Sequence, residues 1–421
     1  MRAAGRGFHG VGWAAATAAA VLAGRVGQAA DPPAAAPPAV APAANLGEFK
    51  RWVIAADFTR DGQQLVTAGG ESLLYRPGDV VVWQAADGGR VGDLTGHGTA
   101  VWAVRVSRDG TLAATAGYDG VVKLWDLPAR TLKHDLEKHK GWVRSLDFSP
   151  DGARLATAGE DGGIVIWDTA AGTEQKAIAA HTGAATAVAF SADGTTLASG
   201  GSDKLVKLWD PASGAEKGRL EGHGDSLWAV AYSPDGGRLA TAGADRTIRL
   251  WTTSDSKEDA TLTGHKDWVT SLAFAPDGTR LASGSLDGAV KLWDVVAKGE
   301  QEGPEPQKSS VWSVAFAPDG KTIFVGTHAG GRLVATPAAK LLPPPPPPPA
   351  PPPAAEPEKP TTPDAPKPDA PKPDAPKPDA PKPDAPKPDA PKPDAPKPDA
   401  PKPDAPKPDA PAPAAGDAPK A

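Results

Sequence analysis

The chain repeats itself every 42 residues, and that period constrains its fold more than any other feature. Tryptophans stand at positions 83, 125, 167, 209, 251 and 293, and histidines at 97, 139, 181, 223 and 265 keep the same step. A period of this length marks a stacked or circular array of supersecondary units. Within one unit, residues 139–168 read HKGWVRSLDFSPDGARLATAGEDGGIVIWD. Short β-rich runs at Val143 to Phe148, Leu155 to Ala158 and Ile164 to Trp167 are separated by turn signals, and a fourth run such as Thr131 to Leu136 precedes each histidine. The turn Ser149-Pro150-Asp151-Gly152 suits a tight hairpin: proline pre-sets φ, aspartate bonds the local backbone and glycine tolerates positive φ. Asp-Gly recurs at 61, 109, 151, 193, 235, 277 and 319, which predicts seven units. Each unit reads as a four-stranded antiparallel meander. Its apolar faces need neighbours on both sides, and a ring supplies them without exposed ends.

Glycine-histidine, aspartate and tryptophan-aspartate at this spacing resemble the WD-repeat family of seven-bladed β-propellers, over roughly residues 46–337. The resemblance implies an all-β propeller whose blades each carry a hydrogen-bonded tetrad of Trp, Ser or Thr, His and Asp. It falls on His97, Thr115, Asp119 and Trp125; on His139, Thr157, Asp161 and Trp167; on His181, Ser199, Asp203 and Trp209; on His223, Thr241, Asp245 and Trp251; and on His265, Ser283, Asp287 and Trp293. Ser, His and Asp are also the residue types of a hydrolase triad. Five equivalent copies, three with Thr in place of Ser and each with its own Trp, describe scaffolding instead.

The ends of the repeat depart from the pattern. The first unit has Phe49 where His is expected and Gln84 after Trp83; the last has Gln307, Val325, Ala329 and Ala335 in place of all four tetrad members. Proline from 343 onward prevents the last blade from making its own fourth strand in the usual register. Leu46 stands three residues before Phe49, as Leu94, Leu136, Leu220 and Leu262 stand before their histidines, so residues about 42–47 are expected to supply that outer strand.

The resemblance also implies that partners bind one rim, facing residues three and five positions after each histidine and one before each tetrad aspartate. Those places hold Trp52, Trp102, Tyr118, Trp142, Arg144, Trp228, Trp268 and Trp312, with Glu160 and His328 among their neighbours, while Ala184, Thr186 and Ser202 leave the fourth blade without an aromatic. Six extra residues in the first unit bring Leu73, Leu74, Tyr75 and Arg76 to or near the same rim. Trp, Tyr and Arg give large contact area with few rotors, as binding hot spots require. The expected partner-binding set is therefore Trp52, Tyr75, Trp102, Tyr118, Trp142, Arg144, Trp228, Trp268 and Trp312. The competing reading is a lid of indoles packed on one another over the central channel.

Domain boundaries follow from composition. Residues 1–30 carry Arg2, Arg6 and Arg25 without acid, and an apolar run from Val11 to Ala23 too short to span a membrane, so they read as a signal peptide with small residues at Gly27, Ala29 and Ala30 for cleavage. A Pro/Ala linker follows over 31–44, then the propeller over 45–342. Residues 343–421 hold 34 of the 49 prolines and nine DAPKP units, with almost no large apolar side chain, and read as a disordered polyproline-rich tail. That tail is either a spacer or a ligand for a groove that reads PxxP. A chain with no cysteine has no disulfide or thiolate chemistry, and a formal charge of −6 argues against nucleic acid. No metal-ligand spacing is present and no cofactor is implied.

The function expected from the sequence is a non-enzymatic, exported, monomeric binding platform for a protein or peptide, periplasmic or extracellular, of a bacterial envelope type. Glycan or cell-wall polymer binding is the alternative class. An enzyme using the central channel would need an isolated polar cluster at its mouth, and the sequence displays none.

Overall fold

The computed structural model describes residues 52–70 and 77–343. They form seven antiparallel sheets: blade one spans 52–93, blade two 101–137, blade three 143–179, blade four 185–220, blade five 227–263, blade six 269–301 and blade seven 311–335. The first strand of each blade lies innermost and contacts the first strand of the next, and the innermost strand of blade seven returns to that of blade one, so the ring is closed. The strands expected in the third unit are found at Val143–Phe148, Arg154–Gly159 and Gly163–Asp168, preceded by Thr131–Glu137.

Blades one to six have four strands, and blade seven has three among the described residues, ending at Gly330–Ala335. The segment expected to add a fourth, 42–47, lies outside the described residues. The chain after residue 335 does not double back on its own blade. It crosses to the outer strand of blade six, Gly299–Gln301, where Leu341 pairs with Gln301, Glu302 N–H donates to the Lys340 carbonyl at 2.9 Å and Leu342 N–H donates to the Glu300 carbonyl at 2.8 Å.

The core lies between blades as well as within them. Phe148 and Trp167 of blade three, for example, pack with Leu124 and Leu136 of blade two. The tetrads tie this packing to the loops. In blade five the Trp251 Nε1–H donates to Thr241 Oγ1 at 2.8 Å, the hydroxyl pairs with His223 Nε2 at 2.8 Å, and His223 Nδ1 pairs with Asp245 at 2.7 Å. An ionised carboxylate can only accept, so the ring proton sits on Nδ1 facing Asp245, and Nε2 then accepts from the Thr241 hydroxyl. Blades three, four and six repeat the chain, whereas in blade two His97 Nδ1 stands 3.7 Å from Asp119. Burial opposes ionisation of Asp245, but hydrogen bonds from His223 and the Thr247 and Gly224 amides hold its carboxyl well below the usual range.

Candidate partner-binding rim and central channel

Each innermost strand skips one residue against its neighbour, a bulge at the second or third position. The skipped residues are Ile54, Trp102, Arg144, Thr186, Trp228, Thr270 and Trp312. All seven line the mouth of the central cavity. A bulge re-aims a side chain that ordinary pleating would turn aside, and here it turns one residue per blade inward. Sequence spacing finds these positions; the bulge that explains their direction leaves no separate sequence signal.

The ring is plugged by its own side chains. The Arg144 guanidinium lies 5.0 Å from the Trp102 ring, 4.9 Å from Trp142 and 5.5 Å from Trp228, and its Nε donates to Glu160 at 2.7 Å. Tyr118 packs on Trp142 at 4.1 Å and on Trp102 at 5.5 Å; Trp102 meets Trp312 edge-on at 5.7 Å; His328 is stacked against Trp52 at 4.1 Å and tilted against Trp312 at 5.3 Å. Trp228 stacks on Trp268 at 5.5 Å. The rim indoles and Tyr118 are thus brought together on one face, in an arc interrupted at blade four, where Ala184, Thr186 and Ser202 stand. Tyr75 lies outside the described residues. The side chains differ in exposure: Tyr118 is buried, five indoles and Arg144 are half-buried, and Trp268 is 42% exposed. Burial together with Glu160 pushes the Tyr118 phenol up to about 12, against the opposing charge of Arg144. The Trp312 Nε1–H and His328 Nε2 are buried without hydrogen-bond partners among the described residues, and burial lowers the His328 pKa.

Below the rim the channel contains a polar cluster that the sequence reading did not find. Asp57, Arg105 and Asp147 occupy equivalent positions on the innermost strands of blades one, two and three, where blades four to seven have Ala189, Ala231, Ala273 and Ala315. Arg105 Nε is 3.9 Å from Asp147. The inner edge of such a strand faces no further strand, so its N–H groups need side-chain acceptors. Asp57 accepts from Val106 N–H at 2.8 Å and Asp147 from Phe190 N–H at 2.7 Å; Ser145 and Ser271 do the same for Val188 and Val314 at 3.2 and 3.1 Å. Burial raises both carboxyls against the lowering charge of Arg105, that of Asp147 to about 6. These contacts are structural. The cavity itself measures about 110 Å³, well under the roughly 300–1,000 Å³ of small-molecule sites.

The matched family model, described as WD domain, G-beta repeat, covers residues 88–126, 130–168, 172–210, 214–252, 256–294 and 301–332, more than half of the chain. The chain belongs to this WD40 family. Each of the first five WD40 matches begins in or beside the last hairpin of one blade and ends at or beside the tryptophan strand of the next, so the sequence repeat is offset from the blade by one strand. Similar curated proteins include the eukaryotic translation initiation factor 3 subunit I of Neosartorya fischeri, 36% identical over 70 residues, 17% of this chain and 19% of that protein. The protein of the same name from Aspergillus terreus is 34% identical over 82 residues, 20% of this chain and 23% of that protein. The chain spans about a fifth of the length of these relatives. Neither stretch reaches two full repeats, so the likeness is one of the WD40 unit. Among the described residues no group of side chains is placed to hold a metal ion, and no helix is long and apolar enough to cross a membrane.

Proposed function

We propose that the protein is a non-enzymatic scaffold whose tryptophan rim takes a protein or peptide partner. The observation that carries this reading is the Trp228–Trp268 pair: two stacked indoles at the rim, one of them 42% exposed, beside the small residues of blade four. The remaining rim aromatics are committed to one another and to Arg144, so they form a rigid wall beside that pair. Rigid aromatic surface next to a wet edge is what a hot spot needs. WD40 propellers commonly serve as interaction scaffolds, and the relatives' name, a subunit of a larger factor, fits such a role. The expected export of the chain, by residues outside the described part, would place the partner in a cell envelope; N-terminal sequencing of the mature protein checks this.

The test separates wall from contact. Trp268→Ala, which removes a partly exposed ring stacked on Trp228, is expected to cost about 0.5–1.5 kcal/mol and to lose the cross-linked partner in the native organism. Trp142→Ala, which removes a ring packed on Tyr118 and Arg144, is expected to cost about 2–4 kcal/mol. An unchanged cross-linking profile for Trp268→Ala would sink the rim reading, and capture by peptidoglycan in place of protein would move the function to the glycan class.

A further inference from the structure

On the face opposite the tryptophan rim, the chain fills two of its blade-to-blade seams with arginine. Arg154, fifteen positions after His139, reaches from blade three to blade four, stacks 5.6 Å from the Phe190 ring and donates to the Gly194 carbonyl at 3.1 Å. Arg280, fifteen after His265, does the same from blade six to blade seven: 5.8 Å from the Phe316 ring, with a bond to the Gly320 carbonyl at 2.5 Å. Blade five also has arginine at this position, Arg238, whose Nε lies 3.5 Å from Asp259, and in blade four the corresponding residue is Thr196, which is far too short to cross.

The unfilled seam is a cavity of about 570 Å³ between blades four and five. Its lining repeats the two receiving groups of the arginine seams. Tyr232 replaces Phe190 and Phe316, and Gly236 replaces Gly194 and Gly320. The Gly236 carbonyl already accepts the Thr253 hydroxyl at 2.7 Å, which leaves its second lone pair. Tyr232 is half-buried against the core cluster of blades four and five and lines the cavity with the rest of its side chain. Asp193 and Asp235 stand at the two turns that border the seam, as Asp151 and Asp193 border Arg154. Outside the lining Arg238 acts on Asp235, and among the lining residues the one cation is Lys217, whose ammonium is held by Thr196 Oγ1 at 2.8 Å. The filled seams have Gln175 and Gln301 at that position.

We propose that this seam is a binding pocket for a guanidinium group, as carried by arginine. The chain's own Arg154 and Arg280 define the bound geometry: the planar cation lies over the aromatic ring and donates from one Nη2 to the turn carbonyl. A guanidinium keeps its charge and offers several donors in one plane, which an ammonium on the same stem does not. The volume accommodates an arginine side chain with its backbone. The inference is independent of the rim, because it concerns the opposite face.

The experiment uses the full chain with L-arginine, agmatine, an arginine tripeptide blocked at both ends, and cadaverine as the ammonium control, each followed by calorimetry and ligand-observed NMR. Agmatine is expected to bind one to one, at least tenfold tighter than cadaverine. Binding of the blocked tripeptide at agmatine's affinity assigns the site to arginine within a protein; L-arginine alone matching agmatine assigns it to the free amino acid. Thr196→Arg combined with Lys217→Gln rebuilds the seams of blades three and six, and is expected to abolish binding with an unfolding midpoint at or above wild type. Tyr232→Leu is expected to weaken agmatine at least tenfold. Equal affinity for cadaverine, undetectable agmatine binding at 10 mM (about 3 kcal/mol of affinity), or undiminished binding in the rebuilt variant overturns the proposal.

Discussion

Replacing Thr241 by valine isolates what a tetrad contributes. The residue has no exposed surface, and its hydroxyl accepts from Trp251 Nε1–H at 2.8 Å while pairing with His223 Nε2 at 2.8 Å. Valine matches its shape and removes both contacts, orphaning an indole N–H and an imidazole nitrogen in the interior. Each buried, unpartnered group costs about 1–3 kcal/mol, so the expected loss is roughly 2–5 kcal/mol. Thr241→Ser is the control. It keeps the hydroxyl and removes one methyl, for about 1 kcal/mol, and blades four and six use serine at this place. Blade seven sharpens the argument, because Val325 occupies this very position and its strands pair regularly. There the His and Trp positions are Gln307 and Ala335, so no donor or acceptor is stranded. Removal of all partners together is cheap; removal of one is not. The assay is urea unfolding of the full chain, with stability taken from the midpoint at unchanged slope. If Thr241→Val falls within 0.5 kcal/mol of Thr241→Ser, the tetrad is not a satisfied buried network and the reasoning fails.

Two further outcomes are expected. The Asp147 carboxyl keeps its proton in the fold up to about 6 while the unfolded chain releases it near 3.8, so its burial costs stability progressively as pH rises between those values; Asp147→Asn should flatten that part of the pH profile, a difference on the order of 2–3 kcal/mol at pH 7, and a profile that keeps its slope would reassign the effect. Gly201→Ala places a Cβ 2.3 Å from His181 Nδ1 and 2.5 Å from Asp203 Oδ1 and should cost about 2–3 kcal/mol by overpacking, whereas Gly224→Ala, with its nearest neighbour at 3.6 Å, should be close to neutral; equal melting curves would show that the glycine at 201 is not there for the tetrad.

How legible the molecule was depended on whether a feature repeats. The 42-residue step located the strands, the turns and all five full tetrads, because each is stated several times and one reading must satisfy every copy. The rim positions were legible for the same reason, being fixed offsets from a repeated histidine. What the period could not convey was direction and exposure. Six rim tryptophans look alike in sequence, yet Trp142 is wedged between Tyr118 and Arg144 while Trp268, stacked on Trp228, keeps 42% of its surface exposed. Burial there is decided by which side chains of the same and the preceding blade meet each ring. The path of residues 336–343 was illegible too. Proline stops a fourth strand, but only the three-dimensional edge of blade six shows where the chain goes instead.

The polar cluster and the open seam were missed for a related reason, and it says where to look in such a chain. Positions that recur in every unit serve the ring, since each blade faces the same packing problem. Positions that break the recurrence answer to something local. Asp57, Arg105 and Asp147 stand where four other blades have alanine; the two aspartates cap backbone amides of blades two and four, and Arg105 lies 3.9 Å from Asp147. Arg144 stands where other bulges place Trp, Thr or Ile, and it plugs the channel mouth. Thr196 stands where three other blades place arginine (Arg154, Arg238 and Arg280), and among the described residues no side chain crosses its seam. The first departure is explained by the hydrogen bonds it satisfies and the second by the rings it touches. The third leaves an aromatic face and a turn carbonyl with the geometry of an arginine site and no arginine among the described residues to fill it, which is why it, and not the more conspicuous channel, is the place where the repeat points to a ligand.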